Sequence, residues 1–179
     1  MKGMFLTGEL NENSMKEVVE LLLQCKKEAD RAFIMISSGG GLVNCLKAIH
    51  DVLEATKVPL TTIGMGHVES SAAALFCMGD TRILLPNTEF MMHNSSRGWN
   101  KPHMLNTADM QYLCRDMQET NEWLISVECK KTKLTPEVFE EKYSTGKDWI
   151  LTPEEVKQYG ITTQSYSDRW VDIVTSAMK

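Results

Sequence analysis

Three side chains in this sequence have the types that nucleophilic catalysis at a carbonyl carbon requires. Ser70 begins a run of small residues, His93 follows the apolar run 89–92, and Asp148 lies in the glycine-containing stretch 145–149. A serine hydroxyl becomes a nucleophile when a histidine accepts its proton, and a carboxylate can orient that histidine. The sequence therefore contains the parts of a hydrolytic triad, widely separated along the chain.

Each of these residues also has a purely structural interpretation. A serine before a helix can be its N-cap, a lone histidine after an apolar strand is commonly a structural residue, and Asp148 could simply end a loop. Ser70 does not stand in the G-x-S-x-G elbow of the α/β-hydrolases. His67 is close to Ser70 in sequence, but a triad base normally comes from elsewhere in the chain. Taken singly, the residues leave both interpretations open.

A glycine-rich turn, Ser38-Gly39-Gly40-Gly41, is a fourth candidate. It follows an apolar strand and precedes a helix, so its free backbone N–H groups suit an anion, either a phosphate or a developing oxyanion. The turn lacks the Lys-Ser/Thr pair of a P-loop and the G-x-G-x-x-G spacing of a dinucleotide site. A tight structural turn is the alternative.

The elements that must position these residues alternate between strand and helix. Apolar runs predict strands, and apolar residues at helical spacing, or small residues suited to close packing, predict helices. The predicted order is a helix opened by a Ser14/Glu17 capping box, a strand at 33–36, a helix from Leu42, a strand at 59–65 ended by a turn at Gly66, a helix at 70–78, and strands at 83–85 and 89–92. This alternation favours an α/β layer structure.

The second half of the chain predicts one long helix and two short ones. Residues 103–133 contain neither glycine nor proline, and their apolar residues, including Leu113, Met117 and Leu124, form one stripe. The stretches 135–137 and 152–155 each combine a threonine cap, a proline and acidic residues, which is a helix-start signature. We therefore expect a long helix projecting from the α/β layers.

Composition excludes several functional classes. The chain has 179 residues, enough for one domain, and 19 basic against 24 acidic residues give a net charge of −5. This balance argues against a dedicated nucleic-acid or anionic-membrane binder. No apolar stretch approaches the roughly 20 residues of a membrane span, and residues 1–10 lack the apolar core expected of a secretory signal. The five cysteines include no C-x-x-C pair. We therefore expect reduced thiols, a cytoplasmic location, and no metal or organic cofactor.

Four segments, in this order, resemble motifs of the Clp protease proteolytic subunit family of serine peptidases. They are Ile36–Gly41, where the family usually ends with Asn-Ser-Pro-Gly-Gly, then Thr62–Ser70, then Leu85-Pro86-Asn87 with Met91-Met92-His93, and Lys147–Glu155 closed by Tyr159-Gly160-Ile161. The resemblance extends from Phe5 to about Thr163. Four ordered motifs are far more specific than any one of them, so they decide between the open interpretations.

The resemblance implies the fold and the role of each site residue. The expected fold is α/β, of the ClpP/crotonase type, with stacked β-sheets flanked by helices and a long projecting handle helix. One peptidase domain, 1–179, would comprise a head (1–93 and 134–179) and a handle (94–133). The implied roles are nucleophile for Ser70, general base for His93, orienting acid for Asp148, oxyanion-hole N–H donors for Gly41 and Ser71, and substrate-binding rim for Gly40, Leu42 and Val43.

The resemblance also implies assembly and partners. In the family the handle interleaves two heptameric rings into a barrel that encloses the sites, so we expect a homo-oligomer acting on peptides and unfolded proteins. An AAA+ unfoldase is the family's partner. The family has a longer N-terminal segment around its axial pore, whereas only four residues precede Phe5, which counts against unfoldase docking.

Several positions depart from the family pattern. Gly39 replaces a proline, and Glu69 stands where a small apolar residue is usual; pointing inward, its charge would favour protonated His93. The stretch 94–98 lacks the family's Gln-Pro and paired glycines, and Lys147 replaces an arginine that the family uses in ring contacts. These departures leave a catalytically weak structural or regulatory ring subunit as an alternative. A crotonase-like acyl-CoA enzyme is a third hypothesis, because that related fold also polarises a carbonyl with two backbone N–H groups.

Overall fold

The computed structural model describes residues 1–96, 105–164 and Val171. Strands and helices alternate over the first half of the chain, as the sequence predicts. In chain order the elements are β1 (Lys2–Thr7), α1 (Glu12–Lys27), β2 (Ala32–Ser38), α2 (Val43–Thr56), β3 (Leu60–Glu69), α3 (Ser71–Cys77), β4 (Thr81–Leu84), β5 (Glu89–Met92), α4 (Thr107–Lys130), α5 (Pro136–Tyr143), β6 (Trp149–Ile150) and α6 (Pro153–Gln158).

The described strands form one sheet that divides at β3. β1, β2 and β3 pair in parallel, and β3 then pairs with two strands, with β4 through residues 61–64 and with β5 through residues 67–69. β6 runs antiparallel to β5. The ends of β3 and β5 and the beginning of β6 therefore meet at the same edge of the sheet.

Both faces of the central strand are buried because β2 is apolar at every position from Ala32 to Ile36. Ile34 and Ile36 face the main core, which packs α1, α2 and α3 against the sheet. Phe33 and Met35 face the opposite side, where they form a smaller cluster with Ile63 and Ile83. The mixed α/β class and the flanking helices are those that the sequence predicts.

The start of α1 and the end of β3 differ from the sequence prediction. α1 begins earlier, because Asn11 is its N-cap and Ser14, the predicted cap, is the reciprocal third residue of the capping box. Asparagine caps a helix as well as serine does, so the sequence offers two equivalent starts. β3 continues through Gly66 to Glu69, because the positive φ of Gly66 lies within an irregularity in the pairing of β3 with β2.

The long helix α4 extends away from the core over its N-terminal half. Its buried residues are Val127 and Glu128, near its C-terminal end, whereas Met110 and Tyr112 are half or more exposed. Residues 103 and 104 of the predicted helix lie outside the described residues, and the helix ends at Lys130, three residues before the predicted end. The predicted starts of α5 and α6, with caps at Thr135 and Thr152, are confirmed.

None of the helices within residues 1–96 and 105–164 combines the length and the apolar character that a membrane crossing needs.

Candidate active site

Ser70 lies at a sharp junction between β3 and α3. Its φ of 56° and ψ of −129° are in a sparsely populated region for a residue with a side chain. The backbone N–H of Ser70 donates to the carbonyl oxygen of Met91 at 2.9 Å, which ties the end of β3 to β5. Ser70 is the N-cap by position, but within the described chain its side chain caps no helix N–H. Its hydroxyl is therefore available to another partner.

That partner is His93, the first residue after β5. The His93 Nε2 lies 2.7 Å from the Ser70 Oγ, which is hydrogen-bond distance. The two side chains meet because β3 and β5 are parallel neighbours, so the residues that follow their ends emerge at the same edge. The imidazole is one-quarter exposed, so solvent reaches it only partly.

Asp148 completes the line of three residues at a longer distance. Its Oδ1 lies 3.6 Å from the His93 Nδ1, and its side chain is 64% exposed. It precedes β6, whose antiparallel pairing of Trp149 with Met92 places the loop beside the end of β5. A separation of 3.6 Å exceeds a hydrogen bond, and water screens an exposed pair. The structure thus places Asp148 on the Nδ1 side of the His93 ring, opposite Ser70, without a hydrogen bond between them.

The loop that carries Asp148 is anchored on α6. The Trp149 Nε1 and the Lys142 Nζ both donate to Glu155 Oε1, at 3.2 and 2.9 Å. The backbone N–H of Thr152 donates to the other carboxylate oxygen at 2.9 Å. Burial alone would raise the pKa of Glu155, but these donors hold it below its ordinary value. Glu155 therefore stays ionised and fixes Trp149 next to the site.

The N–H groups of Gly41 and Ser71 donate to no acceptor among the described residues. Their turns are in direct contact, since the Ser71 Oγ donates to the Gly41 carbonyl oxygen at 3.3 Å. A Cβ on Gly40, whose φ is +89°, would lie 2.7 Å from the Ser70 Cβ and 3.0 Å from the Ser71 nitrogen. Only glycine permits this approach. Two unsatisfied N–H groups thus lie on turns that meet at Ser70.

The residues predicted as a substrate-binding rim continue this turn. Leu10 pairs with one edge of the segment, donating to the Gly40 oxygen at 2.7 Å and accepting from the Leu42 N–H at 2.8 Å. Leu42 is 52% exposed and Val43 is half-buried. The rim is therefore fixed on its Leu10 side and accessible at Leu42.

Glu69, which precedes the serine, directs its carboxylate toward the glycine turn. Its Oε2 lies 3.5 Å from the position that a Cβ on Gly39 would occupy. The side chain is half-buried, and within the described ranges it forms no ion pair. A side chain at position 39 would therefore be in ordinary van der Waals contact with this carboxylate.

Three contacts at the site are not predicted by the sequence, although Met91 and Glu155 lie within its motifs. The Met91 carbonyl holds Ser70, Glu155 holds the Asp148 loop, and Asn121 of α4 binds the segment after His93. Each depends on strand pairing or helix packing between distant parts of the chain, so no local pattern indicates it. In the described ranges, no group of three or more His, Cys, Asp or Glu residues could hold a metal ion.

Comparison with known proteins agrees with the motifs. A family model described as Clp protease matches residues 1–168. The ATP-dependent Clp protease proteolytic subunit 2 of Pseudomonas aeruginosa is 28% identical over 167 residues, which are 92% of this chain and 80% of the relative. Subunit 3 of Rhizobium etli is 27% identical over 166 residues, 91% of this chain and 82% of the relative. The Deinococcus radiodurans subunit is 29% identical over 146 residues, 80% of this chain and 69% of the relative.

Proposed function

The chain belongs to the Clp protease family, and on that premise we propose that it is a serine endopeptidase that cleaves peptides and unfolded proteins inside a chamber of its own subunits. The observation that carries the proposal is the 2.7 Å contact between the His93 Nε2 and the Ser70 Oγ. The sequence between Ser70 and His93 contains no local motif that predicts this contact. A serine and a histidine held this way can exchange the proton that activates the hydroxyl.

The proposed reaction begins with attack of the Ser70 oxygen on the scissile carbonyl carbon. His93 Nε2 takes the hydroxyl proton, and the carbonyl oxygen becomes an oxyanion that accepts hydrogen bonds from the N–H groups of Gly41 and Ser71. His93 then gives the proton to the departing amine as the C–N bond breaks. His93 next takes a proton from water as the water oxygen attacks the acyl carbon, and returns that proton to the Ser70 oxygen as the acyl–serine bond breaks. Asp148 stabilises the imidazolium that forms in each half of the reaction.

In this proposal the rim formed by Gly40, Leu42 and Val43 binds the substrate as an added strand. Its exposed side at Leu42 supports this role, because a peptide can approach there without displacing Leu10. No cofactor takes part in the proposed reaction.

We further propose that the handle, residues 94–133, interleaves heptameric rings formed by the heads, residues 1–93 and 134–179. The exposed Met110 and Tyr112 on α4 support this, since apolar side chains on a projecting helix gain by burial between subunits. The relatives are named as subunits of ATP-dependent proteases, which makes an AAA+ unfoldase the partner to test first. The five cysteines are free thiols, which agrees with action in the reducing cytoplasm.

A catalytically weak ring subunit is the second candidate function. The observation that favours it is the exposed position of Asp148, 3.6 Å from the histidine. A loosely held acid orients the imidazole less well, so turnover would be slow even with Ser70 and His93 in contact.

The deciding experiment measures hydrolysis of a short fluorogenic peptide together with particle mass. We expect Ser70→Ala to lower kcat by at least about 1,000-fold without changing the particle mass, because only the nucleophile is removed. Ser126→Ala, at an exposed serine on α4, is the matched control and should keep wild-type activity. A fluorophosphonate should label the wild-type protein at Ser70. Equal hydrolysis by wild type and Ser70→Ala would refute the nucleophile; a large but inactive wild-type particle would favour the weak subunit.

A further inference from the structure

A hydrogen bond outside the triad holds the segment that follows His93. The backbone N–H of Ser95 donates to the Oδ1 of Asn121 at 2.7 Å, and the Ser95 Oγ lies 3.5 Å from the carbonyl oxygen of Met117. Asn121 and Met117 are one turn apart on α4, so both contacts join Ser95 to one face of that helix. Both Ser95 and Asn121 are half-buried, which limits competition from water.

His93 itself lies between two fixed points of the backbone. On its N-terminal side, Met92 pairs with Trp149, and the Met91 carbonyl accepts from the Ser70 N–H. On its C-terminal side, the hydrogen bonds that residues 94–96 form within the described chain are the two contacts of Ser95 with α4. Removing the Asn121 acceptor would therefore leave the segment after His93 with only the longer contact between the Ser95 Oγ and the Met117 carbonyl oxygen.

The identity of residue 95 allows this contact. In the family motif that the sequence resembles, a proline lies two residues after the histidine. Ser95 occupies the position of that proline. A proline fixes its own φ but has no N–H to donate. Ser95 has a freer backbone and a donor, and Asn121 provides the acceptor that fixes it. The contact thus supplies from α4 the rigidity that this chain does not obtain from a proline.

We propose that Asn121 is a positioning residue for the general base. By holding Ser95, it fixes the backbone on both sides of His93 and keeps Nε2 at hydrogen-bond distance from the Ser70 Oγ. The inference rests on the proposed function, because it assigns Asn121 a part in the activation of Ser70. Asn121 touches neither reacting group and acts through Ser95.

The test compares two substitutions at position 121 in the full chain. Asn121→Leu removes the acceptor at similar volume, whereas Asn121→Asp retains an oxygen where the Ser95 N–H points. Gln118→Leu, at an exposed position of the same helix, is the control for added apolar surface. For each variant we would measure kcat, KM, the rate of fluorophosphonate labelling at Ser70, the particle mass and the thermal unfolding midpoint.

For Asn121→Leu we expect kcat and the labelling rate to fall together by roughly 10- to 100-fold with KM nearly unchanged, because misplacement of a catalytic group affects the chemical step. Asn121→Asp and Gln118→Leu should stay within about 3-fold of wild type. Labelling reports activation of Ser70 without substrate binding, so a merely structural role would not lower it in intact particles.

Three results would overturn the proposal: wild-type labelling in Asn121→Leu, equal losses in Asn121→Asp and Asn121→Leu, or losses fully accounted for by dissociated or unfolded particles. An active wild type with an equally active Asn121→Leu would refute the positioning role alone. A wild type that neither cleaves peptide nor is labelled at Ser70 would refute the proposed function and this inference with it.

Discussion

Ser70 owes its position to contacts of its backbone as well as its side chain. The positive φ exposes its hydroxyl at the end of β3, and the bond from its N–H to the Met91 oxygen fixes the distance to the strand that precedes His93. Gly40 packs against its Cβ from the other side, where any side chain would collide. A residue held in a sparsely populated conformation costs on the order of 1–3 kcal/mol, which the surrounding contacts must offset. These contacts hold Ser70 against the glycine turn that precedes α2.

Asp148 is the residue of the proposed triad that the geometry holds least tightly, and its substitution should have a limited effect. We expect Asp148→Asn to lower kcat by no more than about 5-fold, far less than Ser70→Ala, because an exposed ion pair contributes at most about 1 kcal/mol. Added salt should reduce wild-type kcat toward that of the variant, since it screens the pair. Steady-state hydrolysis across an ionic-strength series would measure both effects.

Asp51→Asn is the matched control for that series, because Asp51 is also exposed and lies 3.5 Å from a histidine nitrogen, that of His50, which is not part of the proposed triad. It should leave kcat unchanged at every salt concentration. A loss in Asp148→Asn as complete as that of Ser70→Ala would contradict this prediction and indicate that Asp148 closes onto His93 during catalysis.

At the scale of elements, Arg82 links its own strand, β4, to the segments that follow α3, α4 and α6. Its guanidinium is buried and donates to the carbonyl oxygens of Gly79, Lys131, Gly160 and Ile161 at 2.7–2.9 Å. Burial lowers the pKa of Arg82 from its ordinary value, yet a guanidinium remains charged throughout the physiological range. One side chain of β4 thus satisfies carbonyls after α3, α4 and α6.

We expect Arg82→Met to lower the free energy of unfolding by at least about 3 kcal/mol, because it leaves buried carbonyls without donors. Arg82→Lys should recover only part of the loss, since one ammonium cannot span the same acceptors. Arg31→Met, at an exposed arginine, is the control and should change stability little. Urea unfolding measures all three variants, and a loss below about 1 kcal/mol in Arg82→Met would show that solvent satisfies those carbonyls.

The elements that the sequence predicts are those defined by contiguous patterns. β2, α2, α3 and β5 follow from apolar runs and helical spacing, and α5 and α6 from their threonine–proline starts. The pairing of β3 with both β4 and β5 does not follow, because it depends on contacts between distant segments. The same limit applies to Arg82, which lies in a short strand and carries no local sign of burial. The residues of the proposed triad could be named from ordered motifs, but the distances between their side chains could not.

For the whole molecule, stability should be greatest at mildly acidic pH. Several carboxyl groups are stabilised in the charged form by lysines; for Glu54, hydrogen bonds from Lys130 and Lys57 lower the pKa to about 2. Groups of this kind contribute stability at neutral pH that is lost as the pH falls. Glu128 acts in the opposite direction, because complete burial raises its pKa to about 8. Above pH 4.5 the unfolded chain has released the Glu128 proton, whereas the folded protein retains it up to about pH 8.

The buried Glu128 makes the folded protein less stable as the pH rises. Between its unfolded pKa of 4.5 and its folded pKa of about 8, the folded state binds more protons than the unfolded state, so stability falls as the pH rises.

Glu128→Gln is neutral at every pH and removes this dependence of stability on pH. We expect it to raise the free energy of unfolding at pH 7.5 by roughly 2–4 kcal/mol and to change it little near pH 4.5. Urea unfolding from pH 4.5 to 8 measures the difference, with Glu122→Gln, at an exposed position of α4, as the control. Parallel pH profiles for wild type and Glu128→Gln would mean that Glu128 is ionised in the folded protein, with water or a cation reaching it between α3, α4 and α5.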